Sequence, residues 1–144
     1  MTEFWLSFHG RIPRRSFWLG ILALMVVDFV AHLGLIALLG SAAYDAANRE
    51  SFLLKLVDLV VTSPLLWPMA ALFLKRIHDF GQGWVLFSLI AGVVVLFVGL
   101  DLVGAEVPAY GAGLVFLVLW IAVGATRGMA GANQYGPDPL EQRA

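Results

Sequence analysis

Lysine, arginine, histidine and aspartate crowd into the start of one stretch, Lys75-Arg76-Ile77-His78-Asp79-Phe80-Gly81-Gln82-Gly83-Trp84. Adjacent His and Asp side chains could begin the ligand set of a metal phosphohydrolase. That chemistry needs further His and Asp ligands on helices packed around the metal, and here only His9 and Asp138 could join. No metal or other cofactor is expected. The simpler chemistry is ionic: Asp79, desolvated near a membrane surface, pairs with Arg11, Arg14, Arg15 or Arg76, and a bidentate guanidinium–carboxylate pair fastens chain segments together. With no cysteine there is no thiolate nucleophile and no thiolate metal site. Walker, GxSxG and HExxH patterns are also missing, and no nucleophile–base pair can be picked out, so no catalytic residue is assigned.

A second set is interspersed among apolar residues. Asp28 and His32 lie one helical turn apart, and Lys55, Asp58 and Thr62 share a helical face at i, i+3 and i+7. A charge near the membrane midplane costs about 2.5–3.5 kcal/mol on insertion scales, so Asp28 needs a partner or a proton. If the two segments pack side by side, Asp28, His32, Lys55 and Asp58 form one buried polar column. Such a column could relay protons or ions, or could neutralise itself and fix helix packing. Residues 17–27 offer no polar continuation, which favours packing.

The elements that must position these groups follow from composition. Of 144 residues, 60% are hydrophobic and 13% charged, with mean hydropathy +0.87. A soluble domain has about 45–50% apolar and about 25% charged residues. The expected fold is all-α, a polytopic membrane protein with a bundle of four transmembrane helices at 17–39, 52–74, 84–100 and 109–126, one membrane domain spanning 1–144. Each run approaches or exceeds the roughly 20 residues that cross the hydrocarbon core. Residues 1–16 form an aromatic and basic segment lying among headgroups, and 127–144 a polar tail turned by Gly136, Pro137 and Pro139. The first run exceeds the about 7–15 residues of a signal-peptide core and is interrupted by Asp28 and His32, so cleavage is not expected. Pro64 and Pro68 predict a bend in the second helix. A net charge of −1 gives no field to recruit nucleic acid.

Basic residues set the orientation. With the N-terminus inside, Arg11, Arg14, Arg15, Lys75, Arg76, Arg127 and Arg143 fall on the cytoplasmic side and Arg49 and Lys55 on the other, 7 against 2 of 9. Both termini and the 75–84 stretch are therefore expected in the cytoplasm. There Arg11, Arg14, Arg15, Lys75, Arg76, His78, Asp79, Asn133, Tyr135 and Asp138 would form one polar face.

Three stretches together, GRIPRRSFW at 10–18, KRIHDFGQGW at 75–84 and GANQYGPDP at 131–139, resemble the bacterial inner-membrane family called domain of unknown function 805. Lys75 and Ile77 stand where that family often has arginine and leucine, and Gln82-Gly83 shortens its usual turn. The resemblance implies a small integral membrane protein of the inner membrane and carries no catalytic residues with it.

Three functions are compatible with this pattern. The first is a non-enzymatic membrane protein, lodged in the phospholipid bilayer, whose cytoplasmic face binds anionic lipid or a membrane-protein partner. The second is a small proton- or ion-coupled transporter using Asp28, His32 and Asp58, assembled as a homo-oligomer because four helices enclose little space. An intramembrane lipid-modifying enzyme is the third. The topology can be tested with single cysteines at Ser41, Gln82 and Gln142 in this cysteine-free chain. An impermeant thiol reagent on intact cells should label only the Ser41 variant; labelling at Gln82 or Gln142 alone would invert the orientation.

Overall fold

A computed structural model describes residues 2–40 and 51–141. Arg49 and Arg143, used above in reading the orientation, and Ser41 and Gln142 of the topology test lie outside the described residues. The described chain is all-helical: α1 (Thr2–Leu6), α2 (Arg14–Leu39), α3 (Phe52–Asp79), α4 (Trp84–Leu102) and α5 (Glu106–Ala125). Four of these, α2 to α5, are long and apolar enough to cross a membrane. They pack as α2 on α3, α3 on α4 and α4 on α5, while α1 lies against α3.

The helices outrun the apolar runs, and local chemistry accounts for each extension. α2 starts at Arg14 because Pro13, held at φ −74°, leads into the helix without needing a donor of its own. α3 continues five residues past Leu74, through Lys75 to Asp79, so the expected turn shrinks to residues 80–83. It stops where Gly81 takes φ +80°: Gly81 N–H donates to the His78 carbonyl and Gln82 N–H to that of Ile77, each at 3.1 Å. This is the Schellman pattern. The same pattern closes α4, with Gly104 at φ +74° donating to Asp101 and Ala105 donating to Leu100. α5 begins at Glu106 because Pro108 lies in its first turn, where no intrahelical donor is required.

Both Pro64 and Pro68 are accommodated inside α3. Proline at 64 leaves the Val60 carbonyl without its helical donor, and the Ser63 hydroxyl supplies one at 2.9 Å.

The core is one-sided. Phe17, Ile21 and Leu24 of α2 are buried with Leu72, Phe73 and Ile77 of α3, Ile90 of α4 and Val123 of α5, together with Ile12. All lie in the half of the bundle nearest the two chain ends, called here the terminal half. Edge-to-face Phe17 and Phe73, 5.3 Å apart, and near-parallel Trp18 and Trp120, 6.4 Å apart, join α2 to α3 and α5. Gly124 allows the Trp18 indole to lie on the α5 backbone, because a Cβ there would overlap the ring. Gly124→Leu should therefore destabilise the bundle by about 1–3 kcal/mol, the cost of overpacking. A melting curve in detergent checks this; an unchanged midpoint would mean the indole relocates freely.

Candidate functional site at the terminal face

The last two turns of α3 are wrapped on every side: Ala71 to Asp79 are buried without a break. Lys75, Arg76, His78 and Asp79 expose 3%, 0%, 4% and 4% of their surface. Four polar side chains buried within five residues require partners for each charge. The sequence around α3 supplies them from α1, residues 7–13 and the tail.

Asp79 is gripped from two directions. The Arg11 Nε donates to its Oδ1 at 3.2 Å, and Arg76, one turn back on α3, donates from Nη1 to its Oδ2. The rest of Arg11 reaches the tail. Its Nη1 donates to the Gly131 and Gly136 carbonyls at 2.7 and 3.3 Å, and its Nη2 to those of Met129 and Asp79 at 2.6 and 3.3 Å. A guanidinium has five N–H donors. All are spent here, with 1% of the side chain exposed. Arg76 meanwhile donates from Nη2 to the Thr126 carbonyl and from Nη1 to that of Ile12, the latter at 3.4 Å. Gly128 passes directly over the Asp79 carboxylate, where any Cβ would collide with it.

The neighbouring groups serve the same wrapping. Lys75 Nζ donates to the carbonyls of Glu3, at 3.0 Å, and Phe4 at the end of α1. His78 Nδ1 lies 3.2 Å from the Gly10 carbonyl, an acceptor, so Nδ1 carries the proton; its ring stacks on Tyr135 at 3.8 Å, nearly parallel. Asn133 donates to the His78 carbonyl at 2.9 Å and accepts from the Tyr135 N–H at 2.9 Å, forming the turn closed by Gly136. Asp138 accepts from Gly131 N–H at 3.0 Å through Oδ2 and from Leu140 N–H at 2.9 Å through Oδ1.

The polar face expected from sequence thus divides. Lys75, Arg76, His78 and Asp79 are helical and buried rather than displayed on a turn, and Arg11 joins them. Of the four arginines offered to Asp79, Arg11 and Arg76 take it. Arg14 and Arg15 stay exposed in the first turn of α2 and have no acidic partner among the described residues. With exposed Arg127, which sequence reading left out of the site, they line a cleft of about 410 Å³ floored by Gly128 to Ala130. Arg127 could have been found as the basic residue immediately beyond the last apolar run. The two acids on this cleft, Asp79 and Asp138, already have both oxygens engaged.

The intramembrane groups also meet, but not as a buried column. His32 Nδ1 is 3.5 Å from Asp28 Oδ2, His32 Nε2 is 3.8 Å from Asp58 Oδ1, and Thr62 donates to Asp28 at 3.3 Å. Asp28, His32 and Asp58 nevertheless leave 38%, 28% and 37% of their side chains open. Lys55 pairs with Asp101 of α4 at 3.3 Å. Asp101 was missed because it falls one residue beyond the run read as the third span.

The family model described as protein of unknown function (DUF805) matches residues 5–137, which bears out the resemblance seen in the three motifs. The chain is 35% identical to Uncharacterized protein YiiR of Escherichia coli strain K12, over 93% of this chain and 87% of that protein. The YiiR protein of Escherichia coli O157:H7 matches equally. No solved structure matches.

The matched region contains both ends of the Arg11 clamp, whose loss has a definite cost. Arg11→Lys keeps the charge but replaces a five-donor fork with a point cation. It should destabilise by about 1–3 kcal/mol, the cost of leaving buried carbonyls such as those of Gly131 and Gly136 without their donor. Limited proteolysis should then cut the tail at residues 127–141 before the helical bundle; equal resistance to wild type would show that Arg11 is dispensable.

Proposed function

The chain belongs to the family of proteins of unknown function designated DUF805, and for this member of it we propose a non-enzymatic role: an inner-membrane protein that holds the phosphate of an anionic lipid headgroup at its cytoplasmic face. The terminal face is the cytoplasmic one, as the basic residues expected there require, and the cleft beside α2 is the binding site. One observation carries this reading. Arg14, Arg15 and Arg127 converge on one cleft and lack acidic partners among the described residues, whereas Asp79 and Asp138 beside them are already satisfied.

The electrostatics of α2 point the same way. A helix N-terminus carries a partial positive charge, so acidic residues belong in its first turn. α2 has two arginines there instead, no acidic residue, and no side-chain cap from Pro13. An anion in the cleft relieves that conflict through the helix end and the guanidinium forks together. The buried groups behind the cleft act as its frame: Arg11 fixes residues 129–136, and Arg76 fixes Thr126, next to Arg127. Conduction is less well supported, since Phe17, Ile21 and Leu24 pack tightly on Leu72 and Phe73 between the intramembrane acids and the terminal face.

A surface cation contributes about 1 kcal/mol to anionic-lipid binding. Replacing Arg14, Arg15 and Arg127 together by glutamine should weaken association with phosphatidic acid or phosphatidylglycerol by roughly a hundredfold. Native mass spectrometry of delipidated protein, titrated with these lipids and with phosphatidylcholine, reads that change. The melting midpoint should stay put because the Arg11–Asp79–Arg76 cluster is untouched. A triple variant that keeps the wild-type preference for anionic lipid would sink the proposal.

A further inference from the structure

In the far half of the bundle, one side of α2 carries polar groups that this chain does not cover. Met25 and Phe29 are 54% and 63% exposed, and between them Asp28 and His32 border an open depression of about 350 Å³. Asp28 lies near the middle of a 26-residue helix, at hydrocarbon depth. An ionised carboxylate can accept about four hydrogen bonds. Here Asp28 receives one from Thr62 at 3.3 Å and a looser approach from His32 Nδ1 at 3.5 Å. That Nδ1 lies 2.9 Å from the Asp28 backbone carbonyl and donates there, while Nε2 stands 3.8 Å from Asp58, outside hydrogen-bond reach. Acyl chains can supply neither donor nor acceptor. Ionisable groups within membrane spans face a protein interior or a water-filled cavity.

We propose that this side of α2 is the interface with a second copy of the chain, in which Asp28 of each copy accepts from the Nε2–H of the other copy's His32, held as an imidazolium whose Nδ1–H stays on its own backbone carbonyl. The face is complementary to itself because it holds an acid and a base one turn apart. All copies insert the same way round, so a two-fold axis along the membrane normal brings equal depths together and makes every contact reciprocal. One turn separates the two residues by about 6 Å along the axis. Two crossing helices close that gap with side chains of this length. Met25 and Phe29 then pack across the axis as the apolar part of the contact. Lipid cannot replace this partner, having no group to answer either Asp28 or His32 at that depth. The pairing is independent of the headgroup cleft, which lies at the N-terminal end of α2.

The chain lacks cysteine, which makes cross-linking clean. Single cysteines would be placed at Met25 and Phe29, with controls at Val95 and Val118, exposed at 71% and 62% on α4 and α5. Oxidation in native membranes should give disulfide-linked dimers at Met25 or Phe29 several-fold above both controls. In parallel, dimer fraction in lipid bilayers would be followed by single-molecule photobleaching. Asp28→Leu should weaken dimerisation at least tenfold, and Asp28→Asn, whose amide oxygen still accepts from an imidazole N–H, should retain most of it. The proposal fails if cross-linking at Met25 and Phe29 does not exceed the controls, or if it captures only other proteins. It also fails if wild type and Asp28→Leu are equally monomeric.

Discussion

The carboxylate of Asp79, held between the guanidinium groups of Arg11 and Arg76, is the contact on which the rest of the terminal face depends. Taking three charges out of water is expensive unless geometry and additional hydrogen bonds compensate. The compensation here comes from backbone carbonyls of distant segments: Ile12, Thr126, Met129, Gly131 and Gly136 all accept from the two arginines. Satisfying the arginines therefore means folding residues 7–13 and the tail around the end of α3. The ion cluster and the local path of the chain are one structure.

Helix dipoles explain why the cations can be buried at this place. Lys75 and Arg76 lie near the C-terminal end of α3, where the partial charge is negative, and Lys75 also meets the carbonyls ending α1. Arg14 and Arg15 occupy the opposite situation at the start of α2 and stay exposed. The same residue type is thus buried frame in one position and exposed surface in the other. Position along a helix decides which.

The two halves of the bundle follow different rules. Near the termini, aromatic side chains and glycines such as Gly124 bring helices into close contact around a continuous apolar core. In the far half, polar residues on α2, α3 and α4 meet one another at 3.3 to 3.8 Å but remain partly open. Membrane helices gain little from hiding apolar side chains from equally apolar lipid, so packing and polar contacts carry association.

The sequence by itself determined the class and the number of helices of spanning length, because four such apolar runs have no other stable solution in a bilayer. Its motifs also determined the family, and the depth of Asp28 followed from its distance into the first run. What tertiary structure decided was which arginines Asp79 takes, that Arg76 is wholly buried, that Asp101 answers Lys55, and that Arg127 joins Arg14 and Arg15 on a cleft. Helical runs are legible because hydropathy accumulates residue by residue along the chain. Pairings across 68 residues, as between Arg11 and Asp79, are not, because every arginine offers the same charge. Only the fold sets which guanidinium arrives with its remaining donors already aimed at carbonyls.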